Sequence, residues 1–219
     1  MAQNDGMTIE ALRLALAPRI ATEAAFDGWS MAAAENAAQA HGLAPATARA
    51  IFPGGAIDMI DAWVSTIDAA MAEALPAAVL AELPVRERIR RLVQFRLDAV
   101  AGDRESLRRA LAIMAMPRNI ARATRMGWRS ADVMWRLAGD VATDYNHYSK
   151  RAILAGIYAA TLSVFVSDSS EDGADTAAFL DRRIDGVMRF EKAKAKWSTG
   201  ADMHFSPARF LGRLRYPAR

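Results

Sequence analysis

Cysteine is absent from the 219 residues. Disulfide frameworks, thiolate zinc sites, iron–sulfur clusters and cysteine nucleophiles are therefore excluded together, and a reducing compartment is expected. Histidine is nearly as scarce: His41, His147 and His204 are scattered along the chain, so a metal site would be built mostly from carboxylates. Glycine contributes only 13 residues and proline 8, which excludes a collagen-like or low-complexity chain. Long apolar runs are missing too. The longest uncharged stretch, Ala152–Ser167, is sixteen residues and is interrupted by Thr161 and Ser163; a bilayer span needs about 20, so it reads as a buried helix. Met1–Glu10 carries Asp5 and Glu10 and no apolar run, so no targeting segment is expected.

What is present is 53% hydrophobic residues, enough to bury a sizeable core in one ordinary domain or two small ones. The net charge of +3 is unevenly placed. Of 28 basic and 25 acidic residues, seven basic residues and Asp202 fall between Lys192 and Arg219, leaving 21 basic against 24 acidic before them. Attraction to phosphate, whether of lipid or nucleic acid, is thus expected from a basic tail on a mildly acidic body.

The hydrophobic pattern is helical nearly throughout. Val85, Ile89, Leu92, Val93, Leu97 and Val100 form one stripe with arginines opposite, as a helix requires. Gly102 is expected to end that helix and Asp103 to cap the next, which runs through Leu107, Leu111 and Met114 to Pro117. Ala131, Met134, Trp135 and Ala138 make another stripe, and Phe179, Leu180, Ile184, Val187 and Met188 a further one. No alternating run supports a sheet, so the fold class is all-α. The first residues have a shorter rhythm: a helix over Thr8–Phe26, a break at Asp27-Gly28, a short helix from Ser30, a turn at His41-Gly42 and a third helix over Ala44–Phe52. This is a helix-turn-helix-like module. A longer amphipathic helix with Ile57, Ile60, Val64 and Ile67 follows Pro53-Gly54-Gly55. The expected division is a module over 1–53, a helical body over 54–191 and a basic tether with an amphipathic helix over 192–219. Its layout resembles the Tet-repressor-like regulators.

The module is poorly equipped for DNA. A recognition helix needs Arg, Lys, Asn or Gln for base edges and further cations for phosphates. Ala44–Phe52 offers Arg49 alone, and Pro53-Gly54-Gly55 follows where the regulators usually present a lysine. No nucleic-acid partner is expected. Catalytic constellations are equally thin. Asp140 and Asp144 share a helical face with His147 three residues on, which makes them the best metal candidates; the alternative is that Asp140 turns or caps a helix and Asp144 pairs with Lys150 or Arg151. Paired Glu-x-x-His elements, a Gly-x-Ser-x-Gly elbow and a phosphate loop are all missing. No catalytic residue, metal or cofactor is assigned, and the chain is read as a non-enzyme.

The run Asp132-Val133-Met134-Trp135-Arg136-Leu137-Ala138-Gly139-Asp140-Val141-Ala142-Thr143-Asp144-Tyr145-Asn146-His147-Tyr148-Ser149-Lys150-Arg151, continuing to Leu154-Ala155 and Ile157-Tyr158, closely resembles the lipid-binding accessory proteins of ubiquinone biosynthesis, the coenzyme Q protein nine family. A downstream block, Asp168-Ser169-Ser170-Glu171-Asp172, Asp175-Thr176, Phe179-Leu180 and Arg183-Ile184, matches as well. The resemblance implies a Tet-repressor-like fold that has given up DNA binding, a cavity for an isoprenoid lipid or quinone intermediate, and a homodimer. It also implies support of the di-iron demethoxyubiquinone hydroxylase, which leaves the chemistry to that partner. One departure stands out. His147 occupies a position where relatives carry tryptophan in an aromatic-Asn-Trp-Tyr run, which would make a partner interface there smaller and pH-sensitive.

Three sets of residues follow. Leu92, Leu111, Met114, Met134, Trp135, Ile157 and Phe165 are candidates to line the lipid cavity, methionine being suited to irregular apolar spaces; the same stripes serve equally as plain core. In the tail, Ser206-Pro207 reads as a cap and first turn, and Pro217 as a stop. Between them Phe210, Leu211 and Leu214 share an arc flanked by Arg209, Arg213 and Arg215, the pattern of a helix lying in a membrane interface; packing on the body or on a second subunit is the other reading. Asp144, Tyr145, His147, Tyr148 and Arg151 are candidates for the partner surface, with core packing of the tyrosines as the alternative. The expected location is cytoplasmic, peripheral on the inner membrane. The competing function is a ligand-responsive transcription regulator with the same fold.

Overall fold

The computed structural model describes residues 7–141 and 145–199, and every element among them is helical. Helix α1 (Ile9–Asp27) begins where the Thr8 hydroxyl accepts from the Ala11 amide at 3.2 Å and ends at Gly28, whose φ of 68° suits glycine. Helix α2 (Met31–Ala40) is capped the same way by Ser30 on Ala33 N at 3.2 Å. Helix α3 (Thr47–Ile51) is shorter than the expected Ala44–Phe52. Pro45 has no amide proton, and the amides of Thr47 and Ala48 bond three residues back, to Ala44 and Pro45, so a tight turn precedes the helix.

Helix α4 (Ala56–Ala74) starts after Gly54-Gly55. The Asp58 carboxylate accepts from the Gly54 amide at 2.5 Å, and a Cβ on Gly54 would lie 2.5 Å from Asp58 Oδ1. The close approach explains the glycine. Helices α5 (Ala77–Leu80), α6 (Val85–Ala99), α7 (Arg104–Met114), α8 (Ile120–Leu137), α9 (Tyr145–Phe165) and α10 (Ala174–Thr199) follow. Two local expectations are corrected. Helix α6 ends at Ala99, and Gly102 lies inside a 3-10 turn, Ala101–Asp103. Asp103 holds the N-cap position of α7 but makes no capping bond, because its ψ of 33° is far from the extended backbone that aims a cap inward. With no donor to gain and partial burial, its carboxyl pKa is raised.

Ala17, Ala21 and Ala24, with Leu16 and Ile20, bury the inner face of α1, which packs against α2, α4 and α7. Small side chains let these helices approach closely. Trp29 closes this end: its Nε1 donates to the Ser106 carbonyl at 2.9 Å, Ser106 Oγ donates to the Ala21 carbonyl at 2.6 Å, and the Trp29 and Trp63 rings are 5.3 Å apart. Trp29→Phe is expected to cost about 1–2 kcal/mol, seen as a lower urea midpoint with an unchanged slope.

Because α1 is anchored this way, the helix-turn-helix-like segment 1–53 does not separate from the body. The chain forms one compact unit over Met1–Asp181 and a second over Arg182–Arg219. Helix α10 also continues through Lys192 to Thr199, where a tether was expected; alternating Ala and Lys favour helix, and cations suit its C-terminal end. The tail helix with Arg209, Phe210, Leu211, Arg213, Leu214 and Arg215 lies outside the described residues, as do Asp144 and the side chain of Tyr145.

Candidate functional site

Five helices surround a cavity of about 410 Å³. Four present the same register to it. Ile60, Trp63, Val64 and Ile67 come from α4, Leu107, Ala110, Leu111 and Met114 from α7, Ala123, Met126, Gly127 and Ser130 from α8, and Ala155, Tyr158, Ala159 and Leu162 from α9. Each set is spaced i, i+3, i+4, i+7, one helical stripe. The room arises because Ala110, Ala123, Gly127, Ala155 and Ala159 are small where the stripes face one another. Ala115, Thr124 and Ala159 are lining residues that are exposed to solvent, so the cavity opens near the end of α7 and the start of α8.

The other end is buried and polar. Arg96, on α6, is 1% exposed and pairs with Asp68 of α4, while Ser130 Oγ donates to the second Asp68 oxygen at 3.1 Å. The Arg96 guanidinium lies 4.8 Å from the centre of the Tyr158 ring, and its Nε has no hydrogen-bond partner among the described residues. Burial works against the cation, but Tyr158 and Asp68 outweigh it and leave the Arg96 pKa raised. Behind Asp68, Arg129 approaches at 3.5 Å and also pairs with Asp61 at 2.8 Å.

Of the seven expected lining residues, the structure brings Leu111 and Met114 to the cavity. Leu92 and Met134 are fully buried elsewhere in the core. Trp135 donates from Nε1 to the Lys150 carbonyl at 3.0 Å and carries Lys150 Nζ 5.3 Å from its ring. Phe165 packs under the Arg104 guanidinium, 4.3 Å from its ring centre, and Ile157 is half-buried outside the lining.

The segment expected to meet a partner divides in two. Tyr148 is 60% exposed and contacts the rings of His147 and Trp128, at 5.1 and 6.0 Å between centroids. Arg151 does not share that surface: it is 2% exposed, with Nε 2.5 Å from Asp132 and Nη1 3.1 Å from Asp140. Lys150 Nζ reaches the other Asp140 oxygen at 2.6 Å. Burial pushes the Asp140 pKa up, and the bonds from Lys150 and Arg151 more than offset it, so the net shift is downward. The carboxylate proposed for a metal is thus committed to two cations, and among the described residues no cluster of three His, Asp or Glu side chains is placed to hold a metal ion.

The downstream Asp-Ser-Ser block is a turn. The Asp168 carboxylate accepts from the amides of Ser170 and Thr176 at 2.9 and 2.8 Å and from both their hydroxyls, which holds its pKa well below the usual range. In the helix-turn-helix-like segment, Arg49 reaches Glu35 at 3.5 Å.

The fold and cavity define a Tet-repressor-like helical protein with an internal ligand-sized space. A solved TetR transcriptional regulator from Nitrosomonas europaea superposes with a TM-score of 0.62 over 79% of this chain and 95% of its own, at 22% identity, a likeness of fold alone. Residues 120–191 match the family model described as COQ9. The mitochondrial ubiquinone biosynthesis protein COQ9 of Rattus norvegicus is 36% identical over 181 residues, covering 79% of this chain and 58% of that protein. Its Homo sapiens counterpart is 34% identical, with 79% and 57% covered. The chain is similar to these COQ9 proteins and spans a little over half of their length.

Proposed function

We propose that this chain takes an isoprenoid quinone intermediate of ubiquinone biosynthesis into the cavity between α4 and α9 and presents it, at a membrane surface, to the di-iron demethoxyubiquinone hydroxylase. The observation that carries this reading is a space of about 410 Å³, lined almost wholly by apolar side chains and open at one end. Small-molecule sites run from about 300 to 1,000 Å³, so the space suits a ring with the near part of its tail. The names of the relatives support the pathway. In this reading catalysis belongs to the hydroxylase.

Among the described residues no helix is long and apolar enough to cross a membrane. Membrane contact is assigned, on the sequence pattern, to Arg209, Phe210, Leu211, Arg213, Leu214 and Arg215, and contact with the hydroxylase to the exposed Tyr148 with His147 and Trp128 beside it. Native mass spectrometry with lipid extraction tests the proposal. A stoichiometric isoprenoid quinone travelling with the purified protein is the expected result; absence of lipid together with tight binding to a DNA duplex would promote the regulator instead.

A further inference from the structure

We infer that the Arg96–Tyr158–Ser130 end of the cavity is a subsite for a neutral head group bearing carbonyl or hydroxyl oxygens, and that it discriminates against an anionic, phosphate-bearing lipid. The inference rests on the lipid-binding reading above and adds which head group is selected and by which atoms.

Arg96 is the charged residue in a lining that is otherwise apolar apart from Thr124, Ser130 and Tyr158. A buried guanidinium whose Nε lacks a partner among the described residues is a costly group, since a donor left unmade in a low-dielectric site forfeits its hydrogen bond. An oxygen acceptor at the end of a bound ligand would satisfy it. Tyr158 supplies a flat ring against the guanidinium and a hydroxyl that can donate or accept, and Ser130 a second hydroxyl. The charge count decides the class of head group. Arg96, Arg129 and Arg122 face Asp68, Asp61 and Asp58 in one connected network, three cations against three carboxylates. The cluster is neutral overall, so a phosphate entering it would be buried without a spare positive charge, which is strongly unfavourable. A quinone or phenol oxygen needs only a donor.

Three probes with the same two-isoprene tail test this on the whole 219-residue chain: ubiquinone-2, geranylbenzene, which lacks ring oxygens, and geranyl diphosphate. A hydrogen bond to a charged group is worth about 1.5–3 kcal/mol, about ten- to a hundredfold in affinity. The unmodified protein is expected to bind ubiquinone-2 at least tenfold more tightly than either other probe. Arg96→Lys, which keeps a cation beside Asp68, and Tyr158→Phe, which keeps the ring, should reduce that preference to about threefold or less with geranylbenzene affinity unchanged. Retention of the preference in both variants overturns the inference, as does tighter binding of the diphosphate by the unmodified protein. Equal loss of all three probes in both variants would make the cluster structural and also overturns it. Failure of the unmodified protein to bind any of the three removes the lipid-binding reading itself.

Discussion

Ala123→Phe is expected to abolish binding of an isoprenoid quinone while the chain still folds. Ala123 projects into the cavity from α8, beside a space of about 410 Å³ that a phenyl ring would enter. Adding atoms to a packed core costs about 1–3 kcal/mol, but here the atoms enter a void and replace missing dispersion contacts. The stability change is therefore expected to stay within about 1 kcal/mol, and the affinity for ubiquinone-2 to fall by more than about tenfold, since the ring displaces the ligand's tail. Tryptophan fluorescence quenching by the quinone reports the affinity, with Trp63 in the cavity wall. A filled variant that bound as tightly as the unmodified protein would place the ligand elsewhere.

Arg151→Met should have the largest effect on stability. Removing this guanidinium leaves Asp132 with Arg136 alone and Asp140 with Lys150 alone, and their side chains are 17% and 5% exposed. Losing the charge-assisted hydrogen bonds while a second cation remains on each carboxylate costs about 1.5–3 kcal/mol, or about 3–12 °C in Tm for a chain of this size. Calorimetry measures it, and Tyr148→Ala, at an exposed position, serves as the contrast with an expected change near 0.5 kcal/mol. The same cluster sets an acid limit. The Asp140 pKa is depressed in the folded state from an ordinary value of 3.8, so its contribution to stability is complete above that value and is lost as the pH falls through the folded pKa.

The helices and their starts were legible in the sequence because caps and apolar stripes are local signals. Helices are expected from Thr8 and from Ser30, and each of these residues caps the helix that starts directly after it. The cavity was only partly legible. Leu111 and Met114 were found by size and apolarity, yet Leu92 and Met134 satisfy the same test and are plain core. A stripe tells which face points inward and says nothing of whether that face meets a neighbour or a gap. The informative signal is the small residues Ala110, Ala123, Gly127, Ala155 and Ala159 at stripe positions on three helices, which leave room when they converge. Arg96 also had a signal. It stands four residues after Leu92 and seven after Ile89, on the buried stripe rather than with the arginines of the opposite face, and a cation at such a position requires a buried partner. Asp68, four residues after Val64 on α4, is that partner. The burial of Arg151 is not legible in the sequence because its carboxylates lie on α8 and in the turn after it, a pairing that spacing within α9 does not show.

Hydrogen–deuterium exchange with and without ubiquinone-2 tests the central claim most directly, since it reports where the quinone sits. Slowed exchange is predicted along 60–67, 107–114, 123–130 and 155–162, the segments whose side chains line the cavity. Protection confined to residues beyond Arg182, or no protection at saturating quinone, would contradict it.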